Sequence, residues 1–113
     1  MDRRVTRLLV PSVLLVALVA GPVAWTDASA GRTVVIKDVR FTPKRLTVSR
    51  GTKVTFVWQD GITRHNVTSL GSRHFKSATS RSTGEHTVRL NKAGVYRYAC
   101  TLHPGMTGRI KVR

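Results

Sequence analysis

Beyond the first thirty positions, apolar residues recur at every second place in short runs, and Gly, Pro and polar residues separate the runs. In "KVTFVWQ", Val54, Phe56 and Trp58 share one parity, while Lys53, Thr55 and Val57 share the other. "EHTVRLN" sets Val88 and Leu90 against Thr87 and Arg89. "VYRYAC" aligns Tyr96, Tyr98 and Cys100 against Val95, Arg97 and Ala99. "GRIKVR" turns Ile110 and Val112 inward, with Arg109, Lys111 and Arg113 outward. A period of two marks strands with one buried face, and no amphipathic helical period is present in this part of the chain. "RTVVIKD" from Arg32, a strand through Leu46 and Val48 after a turn at Pro43, and "HNVTS" from His65 complete the set. "LGSRHFKSATSRSTG" is rich in Ser, Thr and Gly and reads as irregular. Short strands at regular spacing with Gly and Pro turns predict an all-β domain, either a two-sheet sandwich or a Greek-key barrel.

The first thirty residues follow a different pattern. Arg3, Arg4 and Arg7 precede an uncharged run from Leu8 to Trp25, and Ala28, Ser29 and Ala30 form a small-residue cleavage pattern. Basic, apolar and small-residue regions in that order describe a secretory signal peptide. The alternative is an uncleaved anchor, because the 18-residue apolar run approaches the length that spans a bilayer. The expectation is a leader over residues 1–30 and one domain over 31–113, exported to the periplasm or cell envelope. The domain meets a membrane only if the leader is retained. Of the 20 Lys and Arg, 17 lie after the leader, against Asp38, Asp60 and Glu85. Such a field favours acidic partner surfaces. The basic residues are spread along the segment and form no single motif, which argues against nucleic acid.

The chain has one cysteine. Outside the cytoplasm thiols are commonly oxidised to disulfides. A single thiol is therefore buried and inert, paired between chains, or bound to a metal. In "YACTLHPGM", Cys100, His103 and Met106 follow one another at intervals of three. Alternation turns Cys100 inward at a strand end, and the loop after it carries the other two. A metal site needs a further ligand from His65, His74 or His86. His65 stands out because it opens "HNVTS" after the loop that follows Trp58, and loops at one end of a sandwich meet. Two imidazoles, one thiolate and one thioether form the trigonal His₂Cys set with a weak axial Met that copper uses for electron transfer. Zinc accepts two His and one Cys but rarely recruits Met. His74, in a polar loop beside Arg73, and His86, on the reading that it alternates outward from Val88, are expected at the solvated surface.

"HNVTS" together with "GVYRYACTLHPGMTGRIKV" resembles the cupredoxins, the blue copper proteins of the plastocyanin and azurin type. The short C-x-x-H-x-x-M loop is most similar to that of the amicyanin branch. The likeness runs from "VVIKDVRFTPKRLTVSRGTKVTFVWQD" to the chain end. It implies a Greek-key two-sheet β-sandwich with one type 1 copper ion at one end. It also implies a monomer that carries single electrons between larger redox proteins as copper cycles between Cu(I) and Cu(II). By that resemblance His65, Cys100 and His103 are the equatorial ligands and Met106 the axial one. Asn66 then directs its backbone N–H at the sulfur and ties the two loops together through Thr101. No catalysis is implied, because copper oxidases and nitrite reductases use extra His-x-His ligands that this chain lacks. The alternative is a copper chaperone or buffer with the same ligands. The "NVT" sequon at Asn66 is set aside, because a glycan beside a ligand disrupts the site.

Two positions depart from the amicyanin pattern. Leu102 stands where that branch has proline, and its backbone N–H is expected to give the thiolate a second hydrogen bond and raise the reduction potential. Gly105 stands where the branch has an aromatic residue, and is expected to leave the copper end more open.

Overall fold

Alternation in the sequence becomes pleat in the structure. The computed structural model describes residues 31–113, so the expected leader lies outside the described residues. The strands are β1 (Arg32–Lys37), β2 (Arg40–Thr42), β3 (Arg45–Val48), β4 (Thr52–Trp58), β5 (His65–Leu70), β6 (Ala78–Arg81), β7 (Gly84–Leu90), β8 (Gly94–Ala99) and β9 (Thr107–Val112). They form a four-stranded sheet in the order β2-β1-β4-β7 and a five-stranded sheet in the order β3-β9-β8-β5-β6. β1 runs parallel to β4 and β3 parallel to β9, while the remaining pairs are antiparallel. The result is the expected all-β, two-sheet sandwich.

Two elements differ from the sequence reading. β2 is a separate short strand, and the chain passes from one sheet to the other at Pro43 and Lys44. β6 lies inside the Ser- and Thr-rich stretch expected to be irregular. It exists because β5 supplies its partner, through His65↔Arg81 and Val67↔Ala78. Only Ala78 of its residues is buried, so the segment carries no alternation of its own to read.

The inner faces are apolar. Val34, Ile36, Val54, Phe56, Val67 and Ile110 are fully buried. Tyr98 meets Phe41, Phe56 and Phe75 edge-on, with ring centroids 4.8, 5.1 and 5.9 Å away. Such edge-to-face contacts add to what the buried area alone supplies. Gly108 pairs across the ladder with Tyr98, and a Cβ there would lie 2.4 Å from the tyrosine Cζ. Only glycine lets the ring lie flat across β9. Burial pushes the phenol of Tyr98 well above its ordinary pKa. It stays protonated, and the body of the sandwich carries no charge there.

Candidate metal centre

One end of the sandwich holds a fully buried histidine among otherwise apolar neighbours. His65 opens β5 and is fully buried. The β5–β6 register shifts between His65 and Val67. Bulges of this type re-aim a side chain at the rim of a sheet. The indole N–H of Trp58, at the end of β4, donates to the His65 carbonyl at 2.8 Å and fixes where β5 begins.

The ring of His65 is held from its outer side. Asp60 Oδ2 lies 2.6 Å from His65 Nε2. The same carboxylate accepts backbone N–H bonds from Asp38 and Val39, each at 3.1 Å. Both donors have positive φ, 53° and 56°, in the turn between β1 and β2. The bond to His65, and then the Val39 amide, hold the Asp60 carboxyl below its ordinary pKa. A carboxylate acceptor places the proton on Nε2 and leaves the lone pair on Nδ1. That nitrogen faces Cys100 Sγ at 3.8 Å. A carboxylate behind a ligating imidazole sets its tautomer and orientation and raises its basicity.

The other donors come from the loop between β8 and β9. Cys100 is 3% exposed at the end of β8, as its parity predicted. Its N–H donates to the Met106 carbonyl at 2.9 Å, and the Met106 N–H donates to His103 at 3.1 Å. These bonds close the loop into a tight turn, with Gly105 at φ 81° in the left-handed region. His103 is half-buried; its Nε2 lies 3.2 Å from the Arg64 carbonyl, and its ring centroid is 4.7 Å from that of His65. Met106 is buried beside them.

One ligand atom from each of His65, Cys100 and His103 falls within a mutual distance of 4.8 Å. Metal–sulfur and metal–nitrogen bonds of about 2.3 and 2.0 Å at trigonal to tetrahedral angles place S and N about 3.5–3.7 Å apart. The 3.8 Å between Sγ and Nδ1 fits that requirement. The donor set is one soft thiolate, two imidazoles and a neighbouring thioether, which suits copper better than a hard cation.

The second ring of residues is partly as expected. Asn66 Nδ2 donates to Thr101 Oγ1 at 2.7 Å, and its Oδ1 accepts the Thr101 N–H at 3.0 Å and the Thr68 hydroxyl at 3.0 Å. This side chain ties β5 to the metal loop. The backbone N–H bonds to sulfur expected from Asn66 and Leu102 are not formed among the described residues; the sulfur faces the His65 ring instead. Leu102 is half exposed. His74 is exposed, as expected. His86 differs from its reading: it shares the parity of Val88, is half-buried, stacks on Phe56 and bonds the Lys76 carbonyl at 2.6 Å. Neither joins the cluster. The sequence reading missed Asp60 and Trp58 as supports of His65. The available signal was an isolated acid among so many cations, one loop before the histidine.

Known proteins resemble this chain in sequence and fold. Residues 9–112 match the family model of a cupredoxin-like domain. Amicyanin-alpha of Methylorubrum extorquens is 33% identical over 108 residues, covering 85% of each chain. The solved structure of an amicyanin mutant in its reduced state aligns at 27% identity and a TM-score of 0.64, over 74% of this chain and 82% of that one. The Cu-containing nitrite reductase of Thermus scotoductus aligns at 26% identity and a TM-score of 0.67. The match to the reductase covers 74% of this chain but only 22% of the enzyme.

Proposed function

The chain belongs to the cupredoxin-like family, and from that premise we propose that it is an exported blue copper protein that passes single electrons between larger redox proteins. Its cofactor is one type 1 copper ion. The ligands are His65, Cys100 and His103, with Met106 as the weak axial donor. Residues 31–113 form the working domain after removal of the leader, in the periplasm or cell envelope, as a monomer. The observation that carries this reading is the setting of His65: Asp60 lies against one ring nitrogen, and the other faces the only thiol.

When bound, copper supplies a one-electron Cu(I)/Cu(II) couple. The protein's part is to keep the donors where both states accept them. His65 is fixed by Trp58 and Asp60, and Cys100 by the Met106 carbonyl. Asn66 joins the two segments that carry these ligands. Bonds of this kind, on a rigid sandwich, resist the rearrangement that would slow electron transfer. Burial of Cys100 keeps the thiol from the oxidation that an exposed one would meet.

Exposed apolar residues stand on the loops around this end. Ile62, Leu102 and Val39 are 94%, 50% and 42% exposed. Exposed apolar residues on a strongly basic surface fit brief docking to a partner at this end. The positive field would speed encounter with an acidic partner, so the transfer rate is expected to fall with added salt.

The test is direct. Cu(II) added to the metal-free domain should give an intense blue thiolate-to-copper band with one equivalent bound. Cys100→Ser should abolish it. A colourless wild type, or a band that persists in the variant, would sink the reading.

A further inference from the structure

The five-stranded sheet carries no acidic residue on any of its strands. On its outer face Arg45 pairs with Arg109, and Arg109 pairs with Arg97. Three guanidinium side chains therefore share one rung of the ladder, across about 10 Å at the usual strand spacing. Like charges directly opposite one another destabilise a sheet. None of the three side chains has a hydrogen bond or ion pair among the described residues. Other arginines do: Arg64 bonds Ser80, Arg81 bonds the Glu85 carbonyl, and Arg89 bonds the Gly51 carbonyl.

This row lines a groove of about 260 Å³. A second depression of about 530 Å³ adjoins it and runs past Arg40 to Gly105 and Met106. Lys44 and Thr107 line both. The two form one track from the arginine row to the metal loop, with five cations and no acid along it. Leu70, 41% exposed, lines the outer end.

We propose that this track docks an acidic, extended segment of the redox partner, whose carboxylates lie on Arg97, Arg109 and Arg45. The proposal rests on the electron-carrier reading and adds where the partner binds. Guanidinium groups meet carboxylates in paired, charge-assisted bonds. Alternate side chains of an extended segment recur at a spacing of about 6.6 Å on one face, which suits a row of long, flexible cations. A concave track with an apolar end selects a protein segment over a flat lipid surface. Docking here leads the partner along Lys44 and Thr107 to the loop that holds Met106.

The closing experiment uses the copper-loaded domain and a fluorescein-labelled peptide with Glu at alternate positions. Binding is read by anisotropy at low and high salt. The triple variant Arg45→Gln, Arg97→Gln, Arg109→Gln should bind at least about tenfold more weakly than wild type. A charge-matched triple at the far end of the molecule, Arg50→Gln, Lys53→Gln, Arg89→Gln, should lose less than about threefold. All six positions are exposed, so both variants keep the core intact. Equal losses would mean a diffuse field and would overturn the proposal. So would no binding by wild type, or row-dependent binding to phosphatidylglycerol vesicles without binding to the peptide. Anisotropy does not need the metal, so a missing blue band would count against the copper reading alone.

Discussion

The two ends of the sandwich are built by different means. At the end away from the metal site, β3 joins β4 and β7 joins β8 through three residues each, 49–51 and 91–93. Backbone bonds close it: Gly51 N–H to the Leu90 carbonyl at 2.7 Å and Arg113 N–H to the Val48 carbonyl at 3.0 Å. Val48, Leu90 and Val112 plug the interior. At the metal end the connections are longer, over 59–64 and 100–106. There side chains add to the backbone bonds, through Asp60, Trp58, Asn66 and Thr101. The contrast separates two tasks. Apolar burial and backbone bonds hold the fold, whereas side-chain bonds orient the His65 ring and tie its strand to the metal loop. Changes at the far end should therefore alter stability and leave the site's properties intact, and changes at the metal end should do the reverse.

The largest expected effect is at the far end. Leu90 is 1% exposed. Leu90→Ala leaves a cavity, and the expected loss is about 2–5 kcal/mol of folding stability. Denaturant unfolding of the metal-free domain measures it. The blue band of the folded fraction should keep its wavelength. A shifted band would mean that the far end also sets the ligand geometry, and the separation of tasks would fail.

Asp60→Asn tests the opposite case. It is isosteric but removes the charge behind His65. Loss of such an outer partner typically weakens metal binding, here by about tenfold. Competitive copper titration reads the affinity, and unfolding of the metal-free form should show a smaller loss of stability than Leu90→Ala, since the ionised carboxylate also accepts the Asp38 and Val39 amides. Unchanged affinity would show that the His65 ring keeps its orientation without the Asp60 charge.

The same division explains what was legible in the sequence. The body could be read because burial leaves a period of two, visible in "KVTFVWQ" and "GRIKVR". The ligand loop could be read because its three residues are local and evenly spaced. β6 could not, since it owes its strand to β5 and not to its own pattern. Asp60 reaches His65 across an irregular loop, where no period marks a contact. His86 shows that parity must be counted with care: it points inward at the sheet rim, yet its ring is committed to the Lys76 carbonyl. The Asn66 bond to the sulfur came from family resemblance and the Leu102 bond from a departure from it, and the sulfur faces a ring nitrogen instead.

The smallest effect belongs to neither end. Thr55 and Thr87 face each other across β4 and β7, and their hydroxyls lie 2.8 Å apart on the exposed face. Cross-strand pairs of this kind contribute roughly 0.2–1 kcal/mol. Thr87→Val removes the hydrogen bond but keeps a β-branched side chain that suits a strand. The expected change in stability is therefore within about 1 kcal/mol, with copper affinity and band position unchanged. Thermal unfolding and the copper titration used for Asp60→Asn measure both. A change in affinity here would be more damaging than its size suggests. It would mean that the outer face of the four-stranded sheet is coupled to the ligands through β4, whose last residue, Trp58, holds the start of β5. The rigid body would then be part of the site and not only its support.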